Sequence, residues 1–273
     1  VERTISVSYK KLGKGKEDQV AVQLLQRAAF FAPGAWIPRG VLQASLGKEV
    51  ANEQFADGLA RLLSLGLVEE NETGDVWEHR LVCSFVRNLD KNDRTLNDVE
   101  MTVIKTAYVI NDQGFPAMMQ PLLMHLQFLT DQALPRKDES AATLANGLGY
   151  YFDLIGQYES ARPYYDKALA IRRKVLGEEH PDTATSLNNL GGLFSSMGQY
   201  EAARPYYEQA LAIRRKVLGE EHPDTAQSLN NQGSLLQAMG NNEAARPYYE
   251  QALAIRRKVL GEEHPDTAAS LNN

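Results

Sequence analysis

The string ALAIRRKVLGEEHPDTA stands at 168–184, returns at 210–226 and again at 252–268, a period of 42 residues. A unit of this size buries its apolar face only by stacking on its neighbours, so the repeat decides the architecture before any other feature does. Within 184–225, Leu187, Leu190, Gly191 and Phe194 fall at the three- and four-residue spacing of one helix face. Met197-Gly198-Gln199 breaks that pattern as a turn, and Ala203, Tyr207, Ala210, Leu211 and Leu218 form the stripe of a second, longer helix. Gly219 is the expected C-terminal cap, and Asp224 or Thr225 is the expected N-cap of the next helix. Each unit is therefore a hairpin of a helix A and a helix B. Pro163, Pro205 and Pro247 lie several residues inside the B helices, where each removes a backbone hydrogen bond.

Small residues at Gly191, Gly198, Ala203 and Ala210, with Tyr207 and Phe194 between them, occupy the positions of the tetratricopeptide pattern. The stretch LNNLG…ALAIRRKVLGEEHPDTA resembles the repeats of kinesin light chains, with 42 residues per unit where the usual repeat has about 34. The resemblance covers 142–273: full units start at Ala142, Ala184 and Ala226, and a partial one at Ala268. It implies a mainly α fold ending in a right-handed superhelix. One period earlier, Gly114 falls over Gly156 and Pro121 over Pro163, while Met119 stands where later units have alanine. Residues 96–141 are thus expected to form a degenerate capping repeat.

Residues 1–95 have a different character. Stripes of Leu, Ala and Phe predict helices over 18–32, 38–46 and 49–66, and two short strands follow at Leu67–Glu70 and Val76–His79, joined by the turn sequence Asn71-Glu72-Thr73-Gly74-Asp75. Three helices and a hairpin describe a winged-helix-like domain. The order SVSYKKL, LLQRAAFFAPGAWIP, LLSLGLVEE, EHRLVCSFVR resembles the winged-helix subdomain of the signal-transducing ATPases known as STAND or NB-ARC proteins.

That resemblance implies an upstream nucleotide-binding domain as a partner and ADP or ATP as the cofactor of a longer parent protein, which oligomerises only when activated. It places His79 on the histidine of the family's Met-His-Asp motif, a contact to bound ADP, although Glu78 and Arg80 replace the motif's methionine and aspartate. No G-x-x-x-x-G-K-[ST] loop occurs in the chain, so ATP hydrolysis by this segment is not expected. A start at Val1 without methionine and an end inside a repeated unit suggest a piece of a longer polypeptide.

Twenty-nine basic and 35 acidic residues give a net charge of -6, which disfavours nucleic acid or an anionic membrane as the main partner. The would-be recognition helix at 51–65 carries Glu53, Asp57 and Arg61, a poor match for DNA phosphates. The triplets Arg172-Arg173-Lys174, Arg214-Arg215-Lys216 and Arg256-Arg257-Lys258 are offset by nearby glutamates and read as a solvated, salt-bridged face. His180, His222 and His264 recur with the repeat, but units stacked about 10 Å apart cannot share one ion, so no metal is expected. The single cysteine, Cys83, lies in the apolar run LVCSFV as a core thiol and fits a reducing, cytoplasmic setting.

Since tetratricopeptide arrays turn helix A toward their inner groove, the positions not used in packing point into it. These are Asn146 in the first full unit, Thr185, Asn188 and Asn189 in the second, Gln227, Asn230 and Asn231 in the third, and Asn273 at the end. Asn189, Asn231 and Asn273 form a ladder that Gly147 interrupts. An amide donates to a carbonyl and accepts from an N–H at once, so a row of asparagines can grip an extended peptide whatever its sequence. The function expected is recognition of a protein or peptide ligand by the repeats of a multidomain switch. The alternatives are a freestanding adaptor like a kinesin light chain and, less favoured, a winged-helix DNA-binding regulator.

Overall fold

The computed structural model describes residues 2–13, 15–89 and 93–271. The chain is mainly helical with one two-stranded sheet, and divides into two compact units, 1–136 and 137–273.

In the first unit, α1 (Glu2–Lys10), α2 (Lys16–Ala28), α3 (Arg39–Ser45) and α4 (Asn52–Ser64) precede the strands β1 (Glu69–Glu70) and β2 (Val76–Trp77). Gly58 lets α4 approach α2 closely, since a β-carbon there would sit 2.9 Å from Val20 Cγ1 and 3.1 Å from the Ala21 nitrogen. Leu24, Leu25, Phe31, Leu42, Phe55 and Leu62 fill the space between the helices. The strands pair antiparallel, Glu69 opposite Trp77 and Glu70 opposite Val76, and Ile37 bridges to Val76 on the other side. Their turn is held by Asn71, whose Oδ1 accepts from the backbone N–H groups of Thr73 (3.1 Å) and Asp75 (2.8 Å).

Helices α5 (Arg80–Leu89), α6 (Asp93–Asp112) and α7 (Gln120–Ala133) complete this unit. Residues 96–136 are sewn to the N-terminal helices by polar contacts. Arg27 pairs with Asp98 at 2.9 Å, and the fully buried His125 of α7 accepts from Ala32 N–H at Nδ1 (3.1 Å) while its Nε2 meets the Trp36 carbonyl (2.9 Å). With an N–H facing Nδ1 and a carbonyl facing Nε2, the ring is the neutral Nε2–H tautomer, and burial holds its pKa below the usual histidine range.

The second unit is a succession of hairpins: α8 (Glu139–Leu154) with α9 (Tyr158–Val175), α10 (Pro181–Ser196) with α11 (Tyr200–Leu218), α12 (Pro223–Ala238) with α13 (Asn242–Leu260), and then α14 (Pro265–Leu271). The A helices are α8, α10, α12 and α14; the B helices are α9, α11 and α13. Each A helix meets its B helix through a glycine that has no room for a side chain. A β-carbon at Gly149, Gly191 or Gly233 would lie 2.9, 2.7 or 2.8 Å from the ring of Tyr165, Tyr207 or Tyr249. The A-to-B turn closes on a left-handed glycine: Gly198 has φ +72°, its N–H donates to Ser195 O, and Gln199 N–H donates to Phe194 O.

The helix starts differ from expectation. The N-cap of α12 is His222, not Asp224 or Thr225, and its Nδ1 accepts from the Asp224 N–H at 3.1 Å. Proline at the first helical position places the cap on the residue before it, and Thr225 instead donates its hydroxyl to the Gly219 carbonyl at 2.8 Å. His180 caps α10 in the same way, which accounts for the recurrence of histidine.

Candidate functional site

The A helices present one continuous polar face. From 143 to 154, 185 to 196 and 227 to 238 their sequences contain a single charged residue, Asp153; the solvent-reaching positions otherwise carry hydroxyls, amides, glycine and a few apolar side chains.

On this face the predicted amides bond to one another across repeats. Asn189 donates from Nδ2 to Asn146 Oδ1 at 2.8 Å, and Asn231 donates from Nδ2 to Asn188 Oδ1 at 2.9 Å. Each bond joins the second asparagine of one repeat to the first amide of the repeat before it, giving two separate pairs one repeat apart, and Gly147 enters neither. Asn146 is 1% exposed, whereas Asn188, Asn189, Asn230 and Asn231 are half-buried. Gln227, exposed on α12, donates to Asn231 Oδ1 at 2.9 Å. Thr185 and Gln227 also accept hydrogen bonds from below, from Arg214 Nη2 (3.2 Å) and Arg256 Nη2 (2.6 Å). Asn273 lies outside the described residues.

Those arginines are the feature that the sequence concealed. The first residue of each basic triplet is buried, not solvated: Arg172, Arg214 and Arg256 are 4%, 5% and 5% exposed. Arg214 Nη1 donates to the Asp224 carbonyl and to Ser228 Oγ, both at 2.9 Å, so one guanidinium on a B helix holds the A helix before it and the A helix after it. Arg172 and Arg256 repeat the arrangement on Ser186 and Ser270. Burial pushes the Arg214 pKa down, and the carboxylates of Asp224 and Asp182 oppose that fall. The other two triplet positions behave as expected of a surface: Arg215 pairs with Glu220 at 3.0 Å and Lys216 with Glu179. A signal was available, because Arg172 falls three, four and seven residues after Leu169, Ala168 and Tyr165, all on the buried stripe.

Asp153 sits at the far end of α8, where later repeats have Ser195 and Gln237. Burial pushes its pKa up to about 6, against a hydrogen bond from the Tyr165 hydroxyl. Tyr207, from the next hairpin, is pushed up to about 12 by burial and by the Asp153 charge. In the third repeat the corresponding contact is neutral: the Tyr249 hydroxyl donates to Gln237 Oε1 at 2.9 Å.

His79 belongs to the first unit. It is exposed, its Nδ1 accepts from the Leu81 N–H at 3.1 Å at the head of α5, and its ring meets Trp77 edge-on at 5.7 Å. Nε2 then carries the proton and is the nitrogen able to donate outward. Among the described residues no group of three His, Cys, Asp or Glu side chains could hold a metal ion, and no helix is long and apolar enough to cross a membrane.

Residues 140–216, 196–258 and 224–273 each match the tetratricopeptide repeat family model. A crystal structure of nearly identical TPR-like repeats of the kinesin-light-chain type from Podosopora anserina is 26% identical, covers 62% of this chain and 81% of its own, and superposes with a TM-score of 0.51. BtubC (BKLC) from P. vanneervenii shares the fold at 20% identity and a TM-score of 0.54, over 93% of this chain and 95% of that one. A nucleotide-binding leucine-rich repeat (NLR)-like protein of Hyaloscypha variabilis is 40% identical over 63 residues, 22% of this chain. The matched stretch is 6% of that relative's length. Residues 140–273 are an array of tetratricopeptide repeats.

Proposed function

We propose that this chain is the non-catalytic sensing part of a multidomain, nucleotide-dependent switch, in which the A-helix face receives an extended peptide or protein segment and the first unit relays its binding to a nucleotide-binding domain. The observation that carries the first half is the in-register amide series, Asn146–Asn189 and Asn188–Asn231, on a face with a single charge. Stacked repeats offer such extended surfaces, and the half-buried Asn188, Asn189, Asn230 and Asn231 offer amide groups to the N–H and C=O groups of an extended backbone. The relay half is supported by the winged-helix-like order of α2, α3, α4 and the β1–β2 hairpin, by the exposed donor nitrogen of His79, and by the short NLR-like match. In this reading 1–95 is the winged-helix part, and α6 with α7 is the degenerate hairpin that precedes the first full repeat in sequence while packing with the N-terminal helices.

A displayed library of random peptides selected on this chain tests the groove. Enriched peptides should lose roughly fivefold or more in affinity on Asn231→Ala, about one hydrogen bond's worth. Because Asn231 also ties two repeats, the exposed Ser196 is replaced by tryptophan in a second variant that blocks the face without touching an amide bond. Peptides that bind both variants as they bind the parent would overturn the groove. The kinesin-light-chain-type neighbour favours an adaptor as the second reading. A phosphate-loop motif encoded in the same reading frame ahead of Val1 decides for the switch, and an upstream frame lacking one decides for the adaptor.

A further inference from the structure

We propose that Asp153 reads a basic side chain of the bound segment, lysine or arginine, and so fixes the register in which an otherwise uniform groove holds its ligand. This rests on the A-helix face being the peptide groove.

The first argument is placement. Asp153 is the sole charged residue of 143–154, 185–196 and 227–238, and the equivalent positions, Ser195 and Gln237, are neutral. The second and third repeats present the same amide pair, Asn188-Asn189 and Asn230-Asn231, so these amides alone do not distinguish one of the two docking positions from the other. A single carboxylate does.

The second argument is cost. Asp153 is half-buried at the α8–α9 turn and takes a hydrogen bond from the Tyr165 hydroxyl, yet has no ion-pair partner among the described residues. The basic residues near the starts of α9 and α11 are committed elsewhere: Arg162 pairs with Asp166 at 3.7 Å and Arg204 with Glu201 at 3.6 Å. A partly desolvated carboxylate without a cation is a cost that serine or glutamine at the same place avoids, and a cation from outside reverses it. An ammonium or guanidinium on a peptide supplies that cation and completes the carboxylate's hydrogen bonds. A second acidic groove residue would have pointed to a metal or to a polybasic partner; one alone fits one basic side chain.

The test is a matched pair of selected peptides that differ only in lysine or methionine at the basic position, measured by fluorescence anisotropy on the whole chain. The lysine form should bind the parent roughly fivefold better than the methionine form, and Asp153→Asn should erase that difference. Moving the charge gives an independent readout. Adjacent A helices lie about 10 Å apart and an extended peptide rises about 3.3 Å per residue, so Asp153→Ser with Ser195→Asp should move the preferred lysine by about three positions. If lysine and methionine forms bind the parent equally while Asn231→Ala and the Ser196 block weaken both, the groove stands and the charge reading falls. If the lysine preference survives Asp153→Asn, the basic residue is read elsewhere and the proposal is wrong. If no peptide responds to either groove variant, both readings fall together.

Discussion

Glu78 and Cys83 are buried together at the head of α5. The thiol donates to Glu78 Oε2 at 3.4 Å, and Glu78 Oε1 is buried without a hydrogen-bond partner. Burial pushes the Glu78 carboxyl up to about 8, against its contact with Cys83 and the Arg87 charge, so at neutral pH it is an uncharged acid. Protonated, it is a side chain without a charge, which is how a glutamate is accommodated in this buried position. Its folded pKa lies above the unfolded value, so the stability it contributes is complete below about pH 4.5 and is lost as pH rises through about 8. Urea titrations across that window should show the parent losing roughly 3–5 kcal/mol relative to Glu78→Gln, and levelling off above it. A parent and variant with the same pH profile would mean that Glu78 ionises freely. The same burial, with the neighbouring carboxyl, pushes the Cys83 thiol up to about 12 and makes it the inert core group its setting in LVCSFV suggested.

At the scale of elements, the strongest expectation concerns the helix tie. Arg214→Ala leaves Ser228 Oγ, the Asp224 carbonyl and Thr185 Oγ1 without their donor and opens a cavity between α10, α11 and α12, and should cost about 2–4 kcal/mol in chemical denaturation. Arg214→Lys should recover only part, since a single ammonium cannot reproduce the fork. Arg215→Ala, one residue on and exposed, should stay within about 0.5 kcal/mol. Equal costs at 214 and 215 would refute the tie. The helices themselves were legible because Leu187, Leu190 and Phe194 or Ala203, Tyr207 and Ala210 obey one period, and glycine with proline punctuates it. The tie was not, because a charge counts as surface in any pattern of apolar residues, and its acceptors lie on separate helices, 10, 14 and 29 positions away. For the same reason the amides were visible as a row but not as bonded partners: Asn189 and Asn146 are 43 residues apart in sequence. In the first unit, the apolar stripes locate α2, α3 and α4 within a few residues but not α1 or α5, and the burial of His125 against Ala32 and Trp36 depends on chain segments about 90 residues apart.

For the molecule as a whole, the contacts of the second unit are those of a stack in which each hairpin touches only its neighbours. Stability should then be nearly a sum of unit and interface contributions. Deleting 184–225 joins Thr183 to Ala226 and leaves Arg172 facing the Asp182 carbonyl and Ser228, the equivalents of the Asp224 carbonyl and Ser228 that its repeat-mate Arg214 holds. The shortened chain should be monodisperse, should keep the parent's helical circular dichroism per residue, and should unfold cooperatively at a lower temperature. A molten or aggregating product would show that the repeats are not equivalent. Equivalence of this kind extends to the gene that encodes the stack. An in-frame exchange within the shared string ALAIRRKVLGEEHPDTA of two units yields a junction already present in the chain, with its guanidinium and its capping histidine in place. Recombination at such a junction changes the copy number by whole steps of 42 residues and keeps the inter-repeat contacts in register.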